Sequence, residues 1–198
     1  MTFILASNNE GKLREMREML SKLGCDVISQ KEAGLSLDVE ETGSTFAENA
    51  FLKADAACRA SGLPAIADDS GLCVDALGGA PGIFSSRYAG EGKSDSDRNE
   101  LLIKNMTGMK DRGAKFAAAV VCVFPNRDTI SAYGECRGEI LTEPRGDGGF
   151  GYDPLFYVPQ YGMTMGEMDQ ETKNTISHRA NAIADLGTKL KEYMSQGE

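Results

Sequence analysis

Tryptophan is absent from this sequence, and histidine occurs once, at His178. A lone histidine excludes metal centres built from several imidazoles. It also leaves a serine or cysteine nucleophile only one histidine to act as its base. Carboxylates and lysines must therefore carry most of any chemistry. Positive charge is short as well: 21 Lys and Arg stand against 30 Asp and Glu, a net charge of −9. A protein that grips duplex nucleic acid needs a basic footprint to displace counterions, and this composition supplies none overall. A small anionic ligand stays accessible, because a few lysines and a metal ion reverse the local field. The longest apolar run, residues 116–124, is far shorter than the ~20 residues of a membrane span. The first residues lack the basic start and long apolar stretch of a signal peptide and read instead as a strand. The five cysteines form no C-x-x-C pair and sit in apolar surroundings. They read as reduced packing residues of a cytoplasmic protein.

What remains is an ordinary globular composition, 41% hydrophobic and 26% charged over 198 residues. That length suits one well-buried domain spanning 1–198. Glycine is the excess, at 23 residues, which implies many tight turns or places where backbone approaches a ligand. Residues 2–6 read as a buried strand. Residues 12–23 carry Leu13, Met16, Leu20 and Leu23 at helical spacing, stopped by Gly24. A strand over 26–29, a helix over 45–60 and a short strand over 65–67 follow. Asp68-Asp69-Ser70-Gly71 then reads as the exit from that strand, and 72–92 as irregular. Ser94 with Asp97 can cap a helix to about Met106. Residues 115–124 and 129–137 pattern as an antiparallel hairpin, and 138–141 read as its continuation or as a bend. A strand over 155–158, a short helix capped by Thr164 with Glu167 and a final helix from Ser177 to Tyr193 complete an α/β chain.

Three motif matches fail on context. Residues 146–151 fit G-x-G-x-x-G, but they lead to a strand rather than a helix. Gly92-Lys93-Ser94 ends like a phosphate-binding loop, yet the first glycine of that pattern falls on Arg87. Asp95, Asp97 and Asn99 resemble the start of a calcium loop, but the required glycine is Glu100 and the twelfth position is Met106.

Four constellations survive. Ser7-Asn8-Asn9-Glu10-Gly11-Lys12 joins the first strand to the first helix, and a helix N-terminus favours phosphate. The plainer alternative is an ordinary N-cap with a surface lysine. Glu40-Glu41 with Asp68-Asp69 can hold a hard cation such as Mg²⁺, although Glu40-Glu41 also suits a solvated loop. Adjacent strand residues point to opposite faces, so one aspartate of the pair belongs in the site, and Asp69 is the choice. Gly148-Gly149-Phe150-Gly151-Tyr152-Asp153-Pro154 lets backbone approach a flat ring stacked on Phe150, with Asp153 as acceptor for a base edge. A simple turn is its alternative. Lys173 and Ser177-His178-Arg179 set cations at the start of the last helix, against its dipole, which asks for an anionic or carbonyl ligand. A packing role is the alternative for His178.

Taken in order, these segments resemble the inosine/xanthosine triphosphate pyrophosphatase family, the Ham1-like enzymes, from Ala6 to about Ala184. The motifs that carry the resemblance are Ser7-x-Asn9-x-x-Lys12, Glu40-Glu41-Thr42-Gly43, Phe46-x-Glu48-Asn49-Ala50, Lys53-Ala54, Ala67-Asp68-Asp69-Ser70-Gly71-Leu72, Ala76-Leu77-Gly78-Gly79-Ala80-Pro81-Gly82, Arg87-Tyr88, Gly149-Phe150-Gly151-Tyr152-Asp153-Pro154 and Ser177-His178-Arg179. One departure is Ser-Asn-Asn where many members have Thr-Gly-Asn. The resemblance implies an elongated mixed sheet with flanking helices in two lobes around a nucleotide cleft, usually a homodimer. It implies hydrolysis of ITP, dITP and XTP to the monophosphate and pyrophosphate, with Mg²⁺ (or Mn²⁺) as cofactor and no nucleic-acid or membrane partner. Carried over, residues 7–12 and Lys53 hold the triphosphate. Glu41 and Asp69 bind the metal with Asp68 close by, Asp69 is also the base, and Ser70 touches substrate. Phe150, Gly151, Tyr152 and Asp153, with Lys173, His178 and Arg179, enclose base and sugar. His178 or Arg179 would donate to the purine O6. The alternatives are a pyrophosphatase for modified pyrimidine nucleotides and a regulatory nucleotide-binding module without turnover.

Overall fold

The computed structural model describes residues 2–195. Seven strands form one sheet in the order β2-β1-β3-β4-β5-β6-β7. They are β1 (Thr2–Leu5), β2 (Asp26–Ser29), β3 (Ala65–Val74), β4 (Gly113–Val123), β5 (Thr129–Ile140), β6 (Phe156–Val158) and β7 (Met163–Thr164). The helices are α1 (Glu10–Lys22), α2 (Phe46–Ser61), α3 (Asp95–Asn105), α4 (Gln170–Ile176) and α5 (His178–Ser195). The sheet is mixed. β1 pairs in parallel with β2 and β3, whereas β5–β6 and β6–β7 are antiparallel. β4 and β5 are joined by a tight turn closed by Arg127 N–H to Phe124 O (2.9 Å), a link that only antiparallel strands can use. The fold is the α/β architecture that the sequence patterning implies. No described helix is long and apolar enough to cross a membrane.

The described residues divide into two compact units. The first comprises residues 2–69, 118–134 and 178–195, and the second Ser70–Ala117 and Glu135–Ser177. In the first unit, strand alternation sorts the core. Phe3 and Leu5 pack with Met16, Leu20, Ile66, Ile183 and Leu186, so α1 and α5 cover one face. Ile4 and Ala6 pack with Ala50, Ala54, Ala57, Ala65 and Ala67, so α2 covers the other. Each fully buried Ile or Leu contributes roughly 1.5–3 kcal/mol. β1 lies between β2 and β3, and the chain crosses it between them. The loop after β1 therefore stands at a topological switch point, where open α/β sheets place ligands.

α5 docks on β5 through a close backbone approach. A Cβ added at Gly134 would lie 2.2 Å from Ala182 N and 2.3 Å from His178 O. Glycine at this position is what lets the first turn of α5 reach the sheet. Lys189 Nζ donates to Ser131 O (2.8 Å) and fastens the next turns. In the second unit, Leu72, Val74, Leu102, Met106, Phe116, Ile140 and Phe156 form the core under α3.

Two local expectations are corrected. β3 does not end at Ala67 but runs through Asp68-Asp69-Ser70-Gly71 to Val74. The weak strand preference of these residues is overridden because both carboxylates find cationic partners. Thr164 and Glu167 do hydrogen-bond reciprocally, at 2.7 and 3.2 Å, but they close a turn after β7, and no helix begins there. The short helix in this region is α4, capped by Asp169, whose side chain accepts from Thr172 N–H.

Candidate active site

The turn after β1 is shaped by its own side chains. Asn9 is the N-cap of α1 and accepts from Lys12 N–H (3.1 Å), while Ser7 Oγ accepts from Asn9 N–H (3.2 Å). Asn8 is tied down by Gln30 and by Leu37 O, so it braces the loop. Glu10 opens α1 and is exposed, which suits a carboxylate in a first helical turn, and Gly11 follows it half-buried. Lys12 is not a surface lysine. Its ammonium lies 3.2 Å from Asp68 Oδ2, and burial pushes its pKa below the ordinary value despite that partner.

β3 presents its two aspartates to opposite faces, as strand geometry requires. Asp68 follows Ile66 toward α1 and α5. It is 1% exposed, and its Oδ2 meets both Lys12 and Arg179 Nε (3.2 Å each). Arg179 also pairs with Glu15, a buried carboxylate on α1. Burial alone would raise the pKa of Asp68, but Lys12, Arg179 and Lys53 together hold it well below the usual carboxylate range. Asp69 follows Ala67 toward α2. There Asn49 Nδ2 donates to its Oδ2 (3.1 Å), and Lys53 Nζ stands 3.7 Å from its Oδ1. Burial raises the pKa of Asp69 in spite of Lys53 and Lys12, and the Glu41 charge adds to the rise. Two neighbouring carboxylates are thus driven in opposite directions, the pattern that separates a fixed charge from a proton acceptor.

Lys53 Nζ also donates to Glu41 Oε1 (2.6 Å). Glu41 is therefore the member of the Glu40-Glu41 pair that reaches this cluster, while Glu40 is exposed. Glu41 and Asp69 converge on one cationic centre. Four carboxylates (Glu15, Glu41, Asp68, Asp69) accompany three cations (Lys12, Lys53, Arg179). A polyphosphate brought to this cluster needs further positive charge. Asp68 Oδ1 is buried with no hydrogen-bond partner among the described residues, an acceptor that a cation or donor would satisfy. These hard oxygen donors suit Mg²⁺. Among the described residues no three His, Cys, Asp or Glu side chains converge as a cage.

In the second unit, residues 149–153 form a tight loop. Gly149 and Gly151 take positive φ, 73° and 64°, on either side of Phe150. Phe150 N–H donates to Asp153 Oδ2 (2.8 Å), and Lys173 Nζ donates to the same oxygen (2.7 Å). The Lys173 ammonium lies 4.8 Å from the centre of the Phe150 ring. Asp153, expected as an acceptor for a base edge, thus uses Oδ2 to hold its own loop and Lys173. Tyr152 is buried, and its hydroxyl donates to Ser85 O (2.8 Å). Ser70 lies on β3, half-buried.

Arg179 has partners that its local sequence does not show. The sequence shows no acidic neighbour for it, so a ligand was the expected partner. The structure buries it to 1% exposure and supplies Asp68 and Glu15 from 111 and 164 residues away. Its guanidinium organises Asp68. Lys173 likewise finds its anion in Asp153, from α4 rather than from the start of α5. His178 begins α5 and is buried. Sequence reasoning passed over Glu15 and the role of Asn49. Glu15 had a signal, since a carboxylate next to Met16 on the apolar stripe of α1 needs a buried cation. Asn49 stands one turn before Lys53 on the same helix face.

An α/β sheet with a phosphate-suited turn at its switch point, beside a split pair of carboxylates, is an arrangement suited to phosphorylated ligands. The model of the Ham1 family matches residues 3–189. The chain belongs to the Ham1 family. It is 49% identical over 193 residues to the dITP/XTP pyrophosphatase of Geobacillus kaustophilus, covering 96% of this chain and 95% of that protein. With the dITP/XTP pyrophosphatase of Clostridium tetani it shares 46% identity over 196 residues, 98% of each chain. The solved Ham1 protein of Staphylococcus aureus superposes with a TM-score of 0.88 at 44% identity, covering 98% of this chain and 100% of that one.

Proposed function

We propose that this protein hydrolyses dITP, ITP and XTP to the nucleoside monophosphate and pyrophosphate. The activity printed for its relatives, dITP/XTP pyrophosphatase, supports the reading. The observation that carries it is the pair Asp68 and Asp69 on opposite faces of β3, one set against Lys12 and Arg179 and the other against Asn49 and Lys53, beside the turn after β1.

Residues 7–12, with the side chains of Lys12 and Lys53, take the triphosphate. Glu41 and Asp69 hold Mg²⁺, with Mn²⁺ as substitute, and Asp68 keeps the local field negative enough to attract it. When bound, the ion neutralises phosphate charge and makes a water easier to deprotonate. Asp69 accepts the proton of the attacking water. The water oxygen bonds to the α-phosphorus, the bond from that phosphorus to the α–β bridging oxygen breaks, and pyrophosphate leaves with the electron pair. Such transfer depends on positioning and charge neutralisation more than on covalent help from protein. Ser70 contacts the substrate. Phe150 stacks on the base within the loop formed with Gly151, Tyr152 and Asp153, Lys173 sets the charge behind that ring, and His178 donates to O6. A 6-keto purine offers O6 as acceptor and N1–H as donor, and adenine reverses both. Unpaired buried polar groups then disfavour ATP by roughly 10⁴-fold. Five free thiols support a cytoplasmic setting, and the resemblance supports a homodimer.

Pyrophosphate release measured across dITP, XTP, ITP, GTP, ATP and TTP tests this reading. Rapid release from the first three and slow release from ATP and TTP is the expected result. Preference for TTP would overturn it.

The lysines answer a narrower question. Lys12→Ala and Lys53→Ala should each weaken every triphosphate by a similar factor, because they meet the part common to all. A strong change in the ITP to GTP ratio at unchanged ITP binding would remove them from the phosphate clamp.

A further inference from the structure

Helix α3 carries the Asp95-x-Asp97-x-Asn99 pattern that fails as a calcium loop, and the structure gives its members separate tasks. Asp97 closes the capping box with Ser94, whose N–H donates to Asp97 Oδ2 (2.9 Å). Capping therefore does not require Asp95 or Asn99. These two stand one helical turn apart and face the same way. Asp95 Oδ2 accepts from Gly151 N–H (2.7 Å), and Asn99 Nδ2 donates to Gly151 O (3.1 Å). Both backbone polar groups of one left-handed glycine are thus held by one helix. Arg98 pairs with the other oxygen of Asp95 and donates to Ser86 O (3.0 Å) and Lys93 O (2.7 Å), which fixes the direction of the carboxylate. Gly151 directly follows Phe150, whose own N–H is held by Asp153. With the peptides on both sides of Phe150 anchored, its ring has little freedom other than rotation about its side-chain bonds.

We propose that Asp95 and Asn99 are positioning residues for purine recognition, acting through Gly151 to hold the backbone that presents the Phe150 ring to the base. The proposal rests on Phe150 meeting the base, as in the function proposed above. A flat ring held in advance loses less freedom on binding, so its benefit falls on the base and not on the phosphates.

Asn99→Asp is nearly isosteric and sets an acceptor against the Gly151 carbonyl. It is expected to raise KM for dITP about tenfold, the scale of one lost hydrogen bond, with kcat within about twofold. The inhibition constant of inorganic tripolyphosphate, which has no base, should not move. Asp95→Asn keeps an acceptor for Gly151 N–H and should stay near the wild-type KM, whereas Asp95→Ala should behave like Asn99→Asp. A charge at the helix end would make the two Asp95 variants equal, and that result overturns the proposal. So does an unchanged KM in Asn99→Asp, or a parallel loss of tripolyphosphate affinity. Should Asn99→Asp fail to fold, the Asp95 pair decides alone. Amide hydrogen exchange at Gly151 adds a readout independent of turnover, faster in Asn99→Asp and Asp95→Ala than in wild type. Unchanged exchange in both overturns the clamp. Absence of dITP hydrolysis by the wild type would instead sink the function proposed above while leaving the exchange result standing.

Discussion

Asp69→Asn should lower kcat by at least about 10³-fold, combining a lost general base with weaker metal binding. The amide keeps the size of the side chain, and Asn49 still has an acceptor to meet at Oδ1 if the amide is oriented toward it. Little stability should be lost, because Lys53 keeps Glu41 as a partner at 2.6 Å. The measurement is pyrophosphate release from dITP at saturating Mg²⁺, with circular dichroism to verify the fold. Turnover near wild type in a folded variant would remove Asp69 from the chemistry.

Arg179→Ala carries the largest expected loss of stability. It would leave Asp68 and Glu15 both deeply buried without the cation that joins them. Breaking a buried pair by deleting one partner typically costs about 3–5 kcal/mol. Arg179→Lys keeps the charge but not the planar fork that meets two carboxylates, so it should recover only part of the loss. Urea unfolding of the three proteins gives the values. Wild-type stability in Arg179→Ala, together with a selective fall in kcat/KM for ITP relative to ATP, would return the residue to a direct role at the purine O6.

The limits of reading this chain from its sequence are visible in particular residues. The strand over 26–29 and the hydroxyl cap Ser94 were legible because pairing and capping are local. The opposite facing of Asp68 and Asp69 was legible too, from strand alternation alone. α4 was not, since a seven-residue helix is too short to show an apolar stripe. The ion pairs of Arg179 were not legible because its carboxylates lie 111 and 164 residues away, where spacing carries no information. The Gly151 clamp was hidden for the same reason: Asp95 and Asn99 are 56 and 52 residues distant.

The alternation along β3 ties folding fidelity to chemistry. Ile4 pairs with Ala65 and Leu5 with Ile66. A slip of one residue in that pairing turns every side chain of the strand to the other face. Asp68 would then look toward α2 and Asp69 toward the arginine, so the proposed proton acceptor and the anion held by the arginine would trade places. A single deletion between Gly62 and Ala65 would press the strand toward that exchange, against the buried pattern that fixes its register, without altering any residue of the site. Tolerance to length change in this short connection is therefore a sensitive gauge of how strictly the sheet's alignment governs catalysis.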